Sequence, residues 1–220
     1  MKLLIISDQP FERALMVPAF AQTEVRSITS TSETSEALTL FKLHEPNVVL
    51  IDIRFNQQHA IALCHELRAI NPLVGLIILA DCPDLRMLGI TVGSIPVGSQ
   101  MILKTVPDVV TLINQAIAGS ILAAQSKETF IWAGADDIVN APQFLSILSG
   151  LTDIQIETLR LVGSGLSNAE ISRVRFVTEK SVEQIVTKIS NYFDVGSNPS
   201  KNRRVLLTGE YFKWIGPQRK

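Results

Sequence analysis

The chain has 220 residues, of which 46% are hydrophobic and 19% charged, with a formal net charge of −1. That balance suits a globular core, and its longest apolar stretches, such as Leu76–Ala80, are far too short to cross a bilayer. Two cysteines, Cys64 and Cys82, form neither a disulfide framework nor a metal-ligand spacing, which points to a reducing compartment, the cytoplasm.

Met1–Ile6 breaks at Ser7-Asp8 after four apolar residues, so it reads as a buried first strand and not as a secretory signal. The strands predicted by continuous apolar runs are Lys2–Ser7, Asn47–Asp52 and Val74–Ala80, with Glu24–Thr29 and Gln100–Lys104 as shorter ones. Amphipathic stretches between them predict helices over Glu12–Gln22, Ser32–Glu45, His59–Ile70 and Asp108–Ala124. Ser30-x-x-Glu33 is placed to cap the second of these helices, and Pro107 to sit in the first turn of the last. Asp84–Gln100 should hold a further helix, but Gly89, Gly93, Pro96 and Gly98 make it short, displaced or loose. Five strands alternating with helices imply an α/β doubly wound parallel sheet over residues 1–124, with its ligand site beyond the carboxyl ends of the strands.

Residues 125–150 read as a linker with some structure of its own, in which Trp132 is a packing residue. An all-α domain is expected over residues 151–220, where helix-start signals recur. Thr152-x-x-Gln155 and Ser167-x-x-Glu170 predict full capping boxes, Thr178 caps a third helix, and Gly165 supplies a stop. Charge divides along the chain. Residues 1–150 carry 9 Lys/Arg against 14 Asp/Glu, and residues 151–220 carry 11 against 7. The basic half is the one suited to meet phosphate.

Asp8, Asp52 and Lys104 end the first, third and fifth predicted strands, so all three can converge at one edge of the sheet. Two carboxylates and a lysine suit a divalent metal and a phosphoryl group, with a carboxylate as nucleophile. His44, His59 and His65 have no ligand partners at useful spacing.

Around these positions the sequence resembles a response-regulator receiver domain over residues 1–122. Asp52 in Val48-Val49-Leu50-Ile51-Asp52-Ile53-Arg54 matches the phosphoacceptor, Lys104 the family's lysine, and Asp8 one of the acidic pair that holds magnesium. The run Cys64–Pro72 is similar to the third helix and its turn. By the resemblance, Asp8 and Asp52 are the candidate magnesium ligands, and a histidine kinase is a candidate partner. Several positions depart from the pattern: Gln9 at the second acidic position, Ala80 where a hydroxyl residue ends the fourth strand, Met101 at the switch aromatic, and Asn56 and Thr105 where prolines are usual. They imply a degenerate receiver that serves dimerisation or signalling without phosphorylation; a phosphorylation-activated two-component regulator is the alternative.

On a helix over Thr178–Phe193, Val182, Ile185, Val186, Ile189 and Phe193 share one face. The opposite stripe is Lys180, Glu183, Gln184, Thr187, Lys188 and Asn191, rich in short-reach donors and acceptors. Leu151-Thr152-Asp153, Gly165-Leu166-Ser167-Asn168-Ala169-Glu170-Ile171 and Thr178-Glu179-Lys180-Ser181-Val182-Glu183 resemble the LuxR/NarL-type helix-turn-helix over 151–195. That resemblance makes 168–173 the scaffold helix and 179–192 the recognition helix, with Lys180, Glu183, Gln184, Thr187 and Lys188 facing DNA. Arg175 stands where the family buries a leucine, so Val174 or Phe176 is expected to fill the hole while Arg175 reaches solvent or phosphate. A last helix, Asn202–Trp214, offers a dimerisation surface by the same resemblance, with docking against its own domain as the alternative.

The function expected is transcription regulation by a homodimer on double-stranded DNA, with half-sites one helical turn apart. A protein-interaction module that has lost DNA binding is the rival. A flavodoxin-like enzyme fares poorly, because Ser7–Glu12 has no glycine-rich phosphate loop.

Overall fold

The structure is a computed structural model and describes residues 1–21, 25–53, 57–125, 130–133, 148–195 and 200–215. The expectations for Asn56 and for most of the 125–150 linker lie outside the described residues. The chain divides into two compact units, Met1–Pro83 with Ile90–Asn140, and Asp84–Gly89 with Ala141–Lys220.

In the first unit the elements run β1 (Lys2–Ile6), α1 (Pro10–Ala21), β2 (Ser27–Thr31), α2 (Thr34–His44), β3 (Val48–Asp52), α3 (Gln57–Ile70), β4 (Gly75–Ala80), β5 (Ser99–Leu103), α4 (Val109–Gln125) and β6 (Phe130–Ala133). All strands are parallel, in the order β2-β1-β3-β4-β5-β6. The apolar runs of β1, β3 and β4 are buried almost without a break because both faces of a parallel sheet are covered. Leu3, Ile5, Val48, Leu50, Ile77 and Leu79 pack with Phe20 of α1 and Ile113, Ala116 and Ile117 of α4. The alternate residues Leu4, Val49, Ile51 and Ile78 face the other way and are equally buried.

Three expectations are corrected here. The sheet has six strands, not five, because Phe130–Ala133, read as linker, pairs in register with Ser99–Ile102. Four residues are too few to show a period, but Trp132 packs on Leu103 and Val106 and holds the strand at the edge. No Ser30 cap forms at α2: Ser30 lies inside β2, Glu33 takes the N-cap place, and Thr31 Oγ1 accepts from Glu33 N and donates to Glu36 Oε2 (3.0 and 2.9 Å). Pro107 precedes α4, whose first turn begins after Asp108 in the left-handed region. Between β4 and β5 the described helical structure is one 3-10 turn, Val92–Ser94, with Asp84–Gly89 in the other unit.

The second unit holds α5 (Asp153–Gly163), α6 (Asn168–Val174), α7 (Glu179–Tyr192) and α8 (Arg203–Ile215), around buried Ile156, Leu159, Val162, Ile171, Val182, Val186, Ile189 and Leu207. Thr152 and Gln155 form the full capping box. Ser167 does half of what was expected: its Oγ accepts from Glu170 N at 3.2 Å, while the Glu170 carboxylate pairs with Arg173 instead of returning to the cap. Thr178 Oγ1 accepts from Ser181 N at 3.2 Å.

Three helices end the same way. After α5, Leu166 N donates to Leu161 O and Gly165 N to Val162 O, with Gly165 at φ +86°. After α6 the same pair of bonds runs from Val177 and Phe176 to Ser172 and Arg173, and after α7 from Val195 and Asp194 to Ser190 and Asn191. This Schellman geometry needs one left-handed residue, which glycine supplies without strain at 165. At 176 the residue is a phenylalanine, with φ +54°. Among the described residues no helix is long and apolar enough to cross a membrane.

Candidate functional sites

Asp52 is the last residue of β3, Asp81 the first after β4, and Lys104 the first after β5. Adjacent parallel strands bring these three to one edge, and two backbone bonds, Ile53 N to Leu79 O and Lys104 N to Ala80 O, extend the ladder through them. Lys104 Nζ lies 2.9 Å from Asp52 Oδ2, 3.1 Å from Asp81 Oδ1 and 3.5 Å from Glu12 Oε2, the last from the first turn of α1. The Asp52 side chain is 1% exposed and that of Asp81 4%.

Burial pushes the Asp52 carboxyl up to about 6, with Lys104 pulling the other way and Glu12 and Asp81 adding to the rise. Burial works against the Lys104 ammonium, but the three carboxylates outweigh it and hold its pKa above the ordinary value. The arrangement is an ion cluster in which Asp52 Oδ2 accepts from the lysine.

Asp8, expected in this cluster, is exposed; its Oδ1 accepts from Gln9 Nε2 at 3.1 Å, and no ion pair joins it to Lys104 among the described residues. Gln9 likewise points to Asp8, and the neighbour that turns inward is Ser7. Ala80 and Met101 are fully buried and offer no polar group. Magnesium does not fit this donor set. The lysine occupies the centre of the carboxylates, and among the described residues no group of three His, Cys, Asp or Glu is arranged to hold a metal. Asp81 and Glu12 are additions to the expected set; Asp81 follows a strand end as directly as Lys104 does, which is a signal present in the sequence.

In the second unit Lys180, Glu183, Gln184 and Lys188 are exposed along α7, and Thr187 is half-buried. Val182, Val186 and Ile189 seal the opposite face. Arg203, at the start of α8, donates from Nη1 to Thr187 Oγ1 at 3.2 Å, and so joins this ridge from outside α7. Arg204 Nη1 donates to Asn168 Oδ1 at 2.7 Å and ties α8 to the first turn of α6.

The turn between α6 and α7 inverts the expected arrangement. Arg175 points inward, its side chain 9% exposed, with Nε 3.1 Å from Glu157 Oε2 and Nη1 donating to Thr158 Oγ1 at 2.8 Å. Phe176 is 93% exposed and Val174 is exposed beside it, so neither fills the place of a buried leucine. The guanidinium succeeds there because α5 supplies a carboxylate and a hydroxyl, and the Thr158 hydroxyl in turn donates to Ile154 O.

No protein-family profile matches the chain. The chain is similar to the DNA-binding transcriptional activator DevR/DosR of Mycobacterium tuberculosis, 25% identical over 201 residues that cover 86% of each chain. It is also 28% identical over 95 residues to the probable transcriptional regulator ycf27 of Cyanophora paradoxa, covering 42% of this chain and 39% of that one. Among solved structures it is similar to RcsB of Salmonella enterica serovar Typhimurium bound to promoter rprA with the phosphomimetic BeF3-, with a TM-score of 0.52, 16% identity and 98% of each chain covered. A structure of the two-component response regulator RcsB–DNA complex matches with a TM-score of 0.51 and 17% identity, covering 96% of this chain and 97% of that one. At these identities the structural likeness is one of fold.

Proposed function

From this likeness to response regulators of the NarL/LuxR type, we propose that the chain is a DNA-binding transcription regulator and not an enzyme. A receiver-like domain over residues 1–124 is joined through 125–150 to a helix-turn-helix domain over 151–220. In that domain α6 is the scaffold helix and α7 the recognition helix. The observation that carries the reading is the α7 ridge: Lys180, Gln184 and Lys188 are exposed while the aliphatic back of the helix is buried. An exposed row of ammonium and amide groups on one helix suits phosphates and base edges of a major groove. Arg203 beside Thr187 adds positive charge to that row, and Glu183 can accept from cytosine.

Homodimerisation on two half-sites one helical turn apart follows from this reading, with Val205 and Phe212, exposed on α8, as contact residues. Two buried cysteines, neither of them in a disulfide, suit a cytoplasmic location. The Asp52–Lys104–Asp81–Glu12 cluster supports a receiver that works without phosphorylation, since its nucleophile is buried and paired. The alternative, activation by a histidine kinase, draws on the same Asp52–Lys104 contact, because that lysine would pair with an added phosphoryl group. A mass shift with acetyl phosphate, lost in Asp52→Asn, would decide for the alternative.

The test of DNA binding is fluorescence anisotropy of the full chain with DNA fragments selected from genomic DNA, over a range of salt. Lys188→Ala is expected to weaken binding to all fragments and to lower the salt slope by about 1. Unchanged affinity of the variant at every ionic strength takes Lys188 out of the interface. No binding to any fragment at low salt leaves the protein-interaction reading.

A further inference from the structure

Phe176 costs the fold something and returns little to it. It is the left-handed residue of the Schellman turn after α6, with φ +54°, and it is 93% exposed. The turn itself does not need a phenylalanine, since Gly165 closes the same geometry after α5 without strain. A bulky side chain in this backbone region is an outlier, and a ring left in water forgoes the burial that would offset the strain. The inward place in the turn is held by Arg175, on Glu157 and Thr158. A strained residue that the interior does not use points to a use at the surface.

The ring is carried on a fixed piece of backbone. Phe176 N donates to Arg173 O at 3.3 Å and Val177 N to Ser172 O at 3.0 Å, and Thr178 Oγ1 then caps α7 by accepting from Ser181 N. With Arg175 withdrawn, the turn presents Val174, Phe176 and Val177 to solvent. The exposed row of α7 begins at Lys180, four residues after Phe176. Four residues span at most about 14 Å, the length of about four base-pair steps. The apolar turn is therefore continuous with the row that would enter the groove.

The size of the exposed group decides between occupants. An aromatic side chain covers about 150–250 Å², whereas a stable protein interface takes about 800 Å² from each partner. One ring suits a ligand that the neighbouring row already holds. The major groove offers such a ring an apolar group, the methyl of thymine. We propose that Phe176 is a specificity-determining residue that packs its ring on a thymine methyl beyond the N-terminal end of α7. The chain then reads thymine at that place by burial and not by a hydrogen bond. This rests on the DNA-binding reading of α7 and adds to it a base preference set from outside the recognition helix.

The test is fluorescence anisotropy of the full chain with a fragment selected from genomic DNA, and with the same fragment carrying deoxyuridine for thymine at one position at a time. Deoxyuridine keeps the hydrogen-bonding groups of thymine and lacks its methyl. The native chain is expected to bind about fourfold more weakly when the contacted thymine is replaced, the worth of one buried methyl. Phe176→Ala should bind the thymine fragment at least fourfold more weakly than the native chain and should not distinguish the two bases at that position. Its salt slope should stay native, because no phosphate contact is lost. Phe176→Gly, which also relieves the backbone, should lose the same preference while unfolding at no lower temperature than the native chain, which separates the contact from the fold. A native chain that binds DNA with no thymine preference at any position overturns the inference and leaves the binding reading intact. So does a Phe176→Ala chain that keeps the native preference at every position. A native chain that binds no fragment at low salt overturns both.

Discussion

Lys104 Nζ sits 2.9 Å from Asp52 Oδ2, and the same ammonium is shared with Asp81 and Glu12. One cation is therefore shared by two carboxylates that burial has stripped of most of their water and by a third, on Glu12, that is partly exposed. Removing it takes the ammonium away from two buried carboxylates, which costs more than the ion pair itself contributes. Lys104→Met is expected to destabilise the chain by about 3–5 kcal/mol. Urea unfolding followed by circular dichroism measures this; a loss below about 1 kcal/mol would place the cluster with weak surface pairs.

Asp52 binds its proton more tightly in the folded chain, about 6 against an ordinary 3.8. A raised folded pKa contributes stability that is complete below the unfolded value and is lost as pH rises through the folded one. The Asp52 contribution should therefore fall between pH values near 4 and 6, the window set by those two constants. The stability difference between the native chain and Asp52→Asn, from denaturant titrations across that window, should decline with rising pH. A constant difference would mean that Asp52 titrates normally. Lys104 is raised from a value far above this window and does not disturb the comparison.

Phe176 combines a left-handed backbone with a side chain that is almost wholly in solvent. It gains little from packing and bears the steric cost of its β-carbon, about 1–2 kcal/mol. Phe176→Gly relieves that cost and gives back roughly half to the entropy of the unfolded chain. The expected net effect is a gain of about 0.5–1 kcal/mol, seen as a higher unfolding midpoint. A loss instead would show that the ring is packed in solution.

The helix starts at Thr152 and Ser167 differ in one respect. Gln155 returns a bond to the Thr152 backbone, whereas Glu170 turns to Arg173. Gln155→Ala should therefore cost measurable stability, on the order of 0.5 kcal/mol or more, and Glu170→Ala close to nothing. Equal losses in thermal unfolding would contradict the difference in geometry.

Much of the architecture could be read without coordinates. The uninterrupted apolar runs of β1, β3 and β4 announce strands buried on both faces, and Thr152, Gly165, Ser167 and Thr178 mark helix ends through bonds to residues two to four places away. Such signals are local, and local signals survive in one dimension. Asp52 and Lys104 were also legible, because a parallel sheet brings the carboxyl ends of its strands together whatever the loops do.

What the chain order could not settle is which groups compete for one partner or one space. Asp8 and Asp81 are both acids at strand ends; the packing of β4 beside β5 gives Lys104 to Asp81, while Asp8 turns to solvent. Arg175 and Phe176 are neighbours whose hydropathy suggests charge outside and ring inside, yet Glu157 and Thr158 on another helix make the reverse stable. The same holds for Phe130–Ala133 and for Arg86, whose partners lie some 30 and 60 residues away. Local periodicity and capping decide where helices and strands begin. Only the closing of the chain on itself decides which buried charge finds which counter-charge, because that outcome depends on distances between elements that no sequence spacing encodes.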